Sequence, residues 1–426
     1  MKRVVILCVW LFSVVAGHAQ LSLDECRRLA RENYPEIRQY DLVHQTEQYN
    51  LSNAARAWIP QLAFSAQATW QTDAPNFPKE LTGMLAQQGL EIPGLRKDQY
   101  KVALELNQTI WDGGKSVADK RIARAEAAEQ KTMTDVDLYE LEGRVDDLYF
   151  GILLLDERIA QTNLTLNLLR SNLEKVRALQ RNGVAMQSDA DVLEAELLSV
   201  GQQLIQFESS CDSYRRMLGI FIGQKVGDRK LLRPSAVQPL SGESARPELA
   251  MFAAKIDRLT AQEKMVKSSS MPRLGFFAQG YYGYPGLDYM QSMMNNDWSW
   301  NAMLGVKLSW NFGAYYTQKN NLNKLRTSRQ QVEVQRDVFL FNMNLQAAQE
   351  NGDIARLRKA IADDDRIVAL RRSVREAAES KLRNGIIDTH DLLSKITDES
   401  TASMARSMRE IELLKAIYEY KHTINR

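Results

Sequence analysis

Residues 61–71 read Gln61-Leu62-Ala63-Phe64-Ser65-Ala66-Gln67-Ala68-Thr69-Trp70-Gln71. Leu62, Phe64, Ala66, Ala68 and Trp70 fall on one side of an extended chain; Gln61, Ser65, Gln67, Thr69 and Gln71 fall on the other. Side chains of a strand alternate between faces, so this segment is a strand with one apolar and one polar surface. Three further segments repeat the pattern. In 100–111, Val102, Leu104, Leu106 and Ile110 oppose Lys101, Glu105, Asn107 and Thr109. In 273–284, Leu274, Phe276, Ala278, Tyr282 and Tyr284 oppose Arg273 and Gln279. In 299–311, Trp300, Ala302, Leu304, Val306, Leu308 and Trp310 oppose Asn301, Lys307, Ser309 and Asn311. Each run is about the 9–11 residues that a tilted membrane strand requires. Six of the seven Trp residues (58, 70, 111, 298, 300 and 310) lie in or beside these segments. Trp favours the membrane–water boundary, so Trp70, Trp111, Trp300 and Trp310 are read as interface aromatics.

No later segment has the ~18 consecutive apolar residues of a transmembrane helix, so any membrane passage must be by β-barrel. Four strands cannot close one, since the smallest membrane barrels use about eight. An open edge in lipid costs several kcal/mol for each unpaired backbone group. The barrel must therefore be shared among copies. Two copies give a small, plugged interior; three give about twelve strands and a lumen.

Upstream, Lys2 and Arg3 precede an apolar run from Val4 to Ala16, and Gly17-His18-Ala19 offers a cleavage site, so 1–19 is read as a signal peptide. The chain has 55 Lys+Arg and 53 Asp+Glu; removing Lys2 and Arg3 leaves 53 against 53. Without a basic excess, no nucleic-acid partner is expected. Beyond the signal peptide Cys26 and Cys211 remain, either paired or as two separate buried thiols. His44, His390 and His422 show no metal-ligand spacing. Gly113-Gly114-Lys115-Ser116 lacks the preceding glycine of a phosphate loop. No enzyme, cofactor or metal is expected.

The chain is written twice. Pro35-Glu36 matches Pro247-Glu248, and Pro60 matches Pro272. Trp111-Asp112-Gly113-Gly114 matches Trp310-Asn311-Phe312-Gly313. Arg181-Asn182-Gly183-Val184 matches Arg383-Asn384-Gly385-Ile386. The first repeat is placed at 20–234, with a β-hairpin at 61–111 and a helical tip near 183. The second is placed at 235–426, with a hairpin at 273–311 and a tip near 385. The stretch around the join, 224–246, holds Pro234, Pro239 and Gly242, which are loop signals. Within the first repeat, Leu138, Leu141, Val145, Leu148, Ile152, Leu155 and Ile159 step alternately by three and four. Leu166, Leu169, Leu173 and Val176 continue that register, with Thr162 weak. Such spacing is a coiled-coil seam. In 314–382 the seam Leu340, Met343, Ala347, Ile354, Leu357 and Ile361 is joined by Phe339, Phe341, Ile367 and Leu370, which suit a second neighbour. Shorter helices are expected near 36–58 and 189–223, with a similar pair in the second repeat. The loops 73–98 and 285–297 join the strands.

The ordered set resembles the TolC-type outer-membrane efflux protein family. Leu21-Ser22-Leu23-Asp24-Glu25 through Ala30-Arg31-Glu32-Asn33-Tyr34-Pro35-Glu36, Ala55-Arg56 through Pro60-Gln61-Leu62, the Trp111-Asp112-Gly113-Gly114 exit and both Asn-Gly turns carry the resemblance. It implies a mostly α fold in which long coiled-coil hairpins form a periplasmic helical barrel beneath a shared trimeric β-barrel in outer-membrane lipid. It implies a channel for small molecules that works with a periplasmic adaptor and an inner-membrane pump. Protein (type I) secretion and a trimeric envelope stalk or adhesin stand as alternatives. By the resemblance, the tips Asn182, Gly183, Val184, Asn384, Gly385 and Ile386 meet the adaptor. Asp391 matches an aspartate of the family's constriction, with Asp388 beside it and Asp189 and Asp191 at the other tip as weaker candidates. Three-fold rings of carboxylates there would attract cations. Ser394, Ile387 and Leu382 stand where the family has a second aspartate, a basic latch residue and a latch tyrosine, so a salt-bridge latch is not expected.

Overall fold

The computed structural model describes residues 20–183, 185–235, 244–384 and 386–425. The expected signal peptide, 1–19, lies outside them, as do Val184 and Gly385. The first series of elements is α1 (Leu23–Asn33), a 3₁₀ turn (Pro35–Arg38), α2 (Gln39–Arg56), β1 (Gln61–Trp70), α3 (Lys79–Gln87), β2 (Asp98–Trp111), α4 (Lys115–Arg181) and α5 (Gln187–Ile222). The second is α6 (Pro247–Ser269), β3 (Arg273–Tyr284), α7 (Tyr289–Asn295), β4 (Ser299–Ser309), α8 (Gly313–Arg383) and α9 (Thr389–Ile424). From α2 and from α6 onward the order is the same, in keeping with two internal repeats. The helices α4 and α8 have 67 and 71 residues, about 100 Å each at 1.5 Å per residue. Helices α3 and α7 were not legible in the inter-strand loops. They have nine and seven residues, too few for a helical period to register against Pro75, Pro78 and Pro93.

The chain forms two compact units. One comprises 41–131 and 251–335 and carries a four-stranded antiparallel sheet in the order β1-β2-β3-β4. The hairpins of the two repeats join through β2 and β3, with Glu105 opposite Gln279. Strands β1 and β4 are the sheet's edges. At the exit of β2, Gly113 has φ +69°, and a Cβ there would lie 2.7 Å from the Cβ of Met271. Both facts require glycine where the strand turns into α4.

The other unit holds residues up to 40, 132–250 and those from 336 onward. It is helical, and the seam read from the sequence is its core. Leu138, Leu141, Val145, Leu148 and Ile152 of α4 are buried against Leu23, Cys26 and Ala30 of α1, Leu218 and Ile222 of α5, and Ile411 of α9. Thr162, the weak seam position, is buried too. The Ser22 hydroxyl caps α1 by accepting from the Glu25 amide at 3.2 Å. Arg27 then reaches α4, where its Nε donates to Asp146 Oδ1 at 2.7 Å and its Nη2 to Oδ2. Burial pushes the Asp146 carboxyl up even with that guanidinium in contact. The buried Tyr149 hydroxyl lies 2.8 Å from the Leu21 carbonyl oxygen and 2.6 Å from that of Leu232, beside a parallel bridge between Leu21 and Leu231. Cys26 and Cys211 are separate buried thiols.

Candidate membrane sheet and helical tips

Antiparallel partners share a face, so the register assembles the alternating residues into rows. Leu62, Leu106, Ala278 and Leu304 form one row across all four strands. Phe64, Leu104, Gly280 and Ala302 form the next, followed by Ala66, Val102, Tyr282 and Trp300. This face is bare: Phe64 is 73% exposed, Leu304 75% and Trp300 82%. The opposite face carries Gln67, Lys101, Glu105, Asn107, Gln279 and Asn301. There Lys101 Nζ donates to Gln279 Oε1 at 3.1 Å, and Gln279 in turn donates to Glu105.

Aromatic residues lie at both ends of the sheet. At one end Trp298 stacks on Tyr100 with centroids 5.7 Å apart, and Tyr282 lies 5.1 Å from Trp300, with Trp70 nearby in sequence register. At the other, Trp310 lies 4.7 Å from Phe312 and its indole NH donates to the Ser270 carbonyl oxygen at 3.0 Å. From Trp300 to Trp310 a strand rises about 33 Å, which a barrel tilt of about 40° reduces to roughly 25 Å, the height of an outer-membrane apolar band.

Simple alternation puts Trp111 on the polar face. The sheet corrects this with a β-bulge: Thr109 pairs with Gly275 and Trp111 with Leu274, leaving Ile110 as the extra residue. The insertion rephases Trp111 onto the apolar face. Neither that bulge nor the loop anchor at Tyr284 has a sequence signal. The Tyr284 hydroxyl accepts from the Arg96 amide at 2.8 Å and donates to Asn296 Oδ1 at 2.5 Å, tying the loops of both hairpins.

In the helical unit the two hairpin ends share one core. Leu166, Leu169, Leu173 and Val176 of α4 pack with Ala190, Leu193 and Val200 of α5, Ala378 of α8, and Leu392 and Ile396 of α9. Charges bind the helices around it. Arg375 of α8 donates to Glu399 of α9 at 2.5 Å and to Glu379 at 2.7 Å, and Lys175 of α4 lies 3.4 Å from Glu379. Burial alone would raise the Glu379 carboxyl; Arg375 and Lys175 outweigh it and hold it below the usual range.

At the first turn the Asn182 amide donates to the Ala178 carbonyl oxygen at 3.3 Å and that of Gly183 to Gln180 at 2.9 Å. Gly183 is left-handed, with φ +77°, as a helix C-terminus favours. At the second turn Asn384 Nδ2 donates to the Ser380 carbonyl oxygen at 3.0 Å, and the Ile386 amide donates to that of Lys381 at 3.0 Å. Ile386 is exposed. Three of the four aspartates have local partners. Asp388 caps α9, accepting from the Asp391 amide at 2.8 Å; Asp189 accepts from the Met186 amide at 2.8 Å; Asp191 accepts from Gln187 Nε2 at 2.7 Å. Asp391 lies exposed in the first turn of α9. Leu382 and Ile387 pack against the tip core, consistent with the departure from a polar latch.

The second stripe of α8 is longer than the sequence reading made it. Val338, Phe341 and Leu345, then Ile367, Leu370 and Val374, are exposed at steps of three and four. Lys115 and Ser116, from the superficial phosphate-loop motif, are engaged elsewhere: Lys115 Nζ lies 2.8 Å from Asp119 Oδ2, and the Ser116 amide donates to Asp112 at 2.7 Å. Among the described residues no cluster of His, Cys, Asp or Glu could hold a metal ion.

Residues 27–223 match the family described as outer membrane efflux protein. The chain is similar to that family over this segment, somewhat less than half of its length. Its fold is that of known channels over nearly the whole chain. The outer-membrane channel OprN superposes with a TM-score of 0.70 at 14% identity, covering 94% of this chain and 89% of OprN. VceC of Vibrio cholerae gives 0.66 at 14%, covering 94% and 95%, and CmeC of Campylobacter jejuni gives 0.65 at 14%, covering 94% and 85%. No curated protein sequence matches the chain.

Proposed function

We propose that this chain is the outer-membrane exit duct of a tripartite system, a homotrimer that passes small molecules to the outside and is gated at its helical tips. The observation that carries the reading is the sheet: apolar rows run unbroken across four strands to two edges, β1 and β4. In lipid those edges must be paired, and the β1 edge of one copy is complementary to the β4 edge of the next. Three copies supply about twelve strands, enough to leave a lumen. The exposed stripe Val338, Phe341, Leu345 on α8 supports the same assembly, since a heptad stripe without a partner needs a helix to cover it.

In this reading the turns at Asn182, Gly183 and Val184 and at Asn384, Gly385 and Ile386 receive the helical hairpins of a periplasmic adaptor bound to an inner-membrane pump. Asp391, exposed in the first turn of α9, contributes a three-fold carboxylate ring, with Asp388 beside it and Asp189 and Asp191 at the other tip. Two experiments test the proposal. Cysteines introduced at Ala66 and Leu304 and joined by a short bis-maleimide should give a ladder ending at the trimer, since Cys26 and Cys211 are buried; a ladder ending at the dimer refutes the assembly. Liposomes carrying the protein should release an entrapped small dye and retain a large dextran; retention of both refutes a duct.

A further inference from the structure

The polar face of the sheet is not evenly charged. Its strand residues include the cations Lys101, Arg273 and Lys307 and one carboxylate, Glu105. Lys101 and Glu105 are occupied with each other through Gln279. Arg273 and Lys307 are not. Arg273 pairs with Ser309 across β3 and β4, so Lys307 is its diagonal neighbour on the same face, about 7–8 Å away between backbones. Both side chains are exposed. They line one recess with Gln61, Asn107, Thr109, Phe277 and Lys115.

The carboxylates at the edge of that recess are already committed. Asp112 accepts from the amides of Gly114 and Ser116 at 2.9 and 2.7 Å, and Asp119 holds Lys115. No carboxylate lies within ion-pair distance of Arg273 or Lys307 among the described residues. The recess thus holds Arg273, Lys307 and Lys115 against Asp112 and Asp119, one positive charge in excess. Phe277 lies one same-face step beyond Lys307 in register, with its ring against Gly305, and adds an apolar surface. Because the opposite face is the bare apolar one, this patch faces the lumen once the sheet closes into a barrel.

We propose that Arg273 and Lys307 make the wall of the barrel an anion-attracting stretch, so that this part of the duct, unlike the carboxylate ring proposed at the tips, favours small anionic solutes over cationic ones. The inference rests on the barrel reading above. Three-fold repetition would turn the pair into rings of cations, the arrangement that selects anions in pores. In a narrow low-dielectric passage such a patch raises the local concentration of counter-ions tenfold or more, on the order of magnitude known for charged clefts.

The test is the reversal potential of the reconstituted channel in a potassium chloride gradient. Arg273→Gln with Lys307→Gln should lower the chloride-to-potassium permeability ratio by at least about twofold. The single variant Lys307→Cys gives a second reading on channels that are already folded and conducting. A thiol reagent bearing a sulfonate should lower the ratio and one bearing a quaternary ammonium should raise it, with Cys26 and Cys211 buried and silent. An unchanged ratio in the double variant, or equal effects of the two reagents, overturns the inference while leaving the channel standing. Wild-type protein that conducts nothing overturns both.

Discussion

Leu304→Arg is the substitution that separates a membrane sheet from a soluble one. Leu304 lies midway along β4, paired with Ala278, on the apolar face and 75% exposed in the single chain. Exposure of that degree makes the change nearly harmless in a water-soluble sheet, within about 0.5 kcal/mol. In a barrel the same side chain faces the bilayer midplane, where Arg costs about 2–4 kcal/mol. Each closed trimer would carry the change three times, roughly 6–12 kcal/mol in all. Met303→Arg is the control: Met303 is the adjacent residue, pairs with Gln279 on the polar face, and is also exposed. Its replacement by Arg should cost about 0.5 kcal/mol or less. Urea titration of the protein folded into lipid vesicles, followed by Trp fluorescence, reads both. Equal losses at the two positions, or a larger one at Met303, would refute the assignment of faces.

Other consequences concern the helical unit. Tyr149→Phe should cost about 1–3 kcal/mol in chemical denaturation, because the buried Leu21 carbonyl oxygen and the half-buried one of Leu232 lose the hydroxyl between them. Asp388→Ala should cost about 1 kcal/mol and Asp388→Asn much less, since Asp388 caps α9; equal losses would show that its charge matters more than its cap. Burial pushes the Cys26 thiol up to about 12. Below the usual thiol range folded and unfolded chains both hold the proton, so Cys26 adds no pH dependence there. As the pH climbs toward 12 only the unfolded chain releases it, and stability should fall by up to about 1.4 kcal/mol per pH unit. Cys26→Ser should flatten that slope, and an unchanged slope would contradict it.

Much of the fold was legible because both of its periods are written plainly. The alternation of 61–71 and 299–311 survives into the sheet with its faces intact. The three–four steps from Leu138 to Val176 are buried at nearly every position. What escaped depends on single residues or on tertiary context. A one-residue bulge at Ile110 moves Trp111 to the other face, and no alternation rule can place an insertion of that size. The short helices α3 and α7 lie among loop-forming prolines and glycines. At the tips, the turns at Asn182-Gly183 and at Asn384 were readable. The division of labour among the aspartates was not, because an aspartate ahead of a helix reads alike whether it caps the helix or lines a pore.

The shared barrel is tested most directly by the oligomeric state and conductance of the detergent-extracted protein in a planar bilayer. A trimer with long-lived, low-conductance openings is the expected result. A monomer that stays soluble without detergent and passes no current would contradict it.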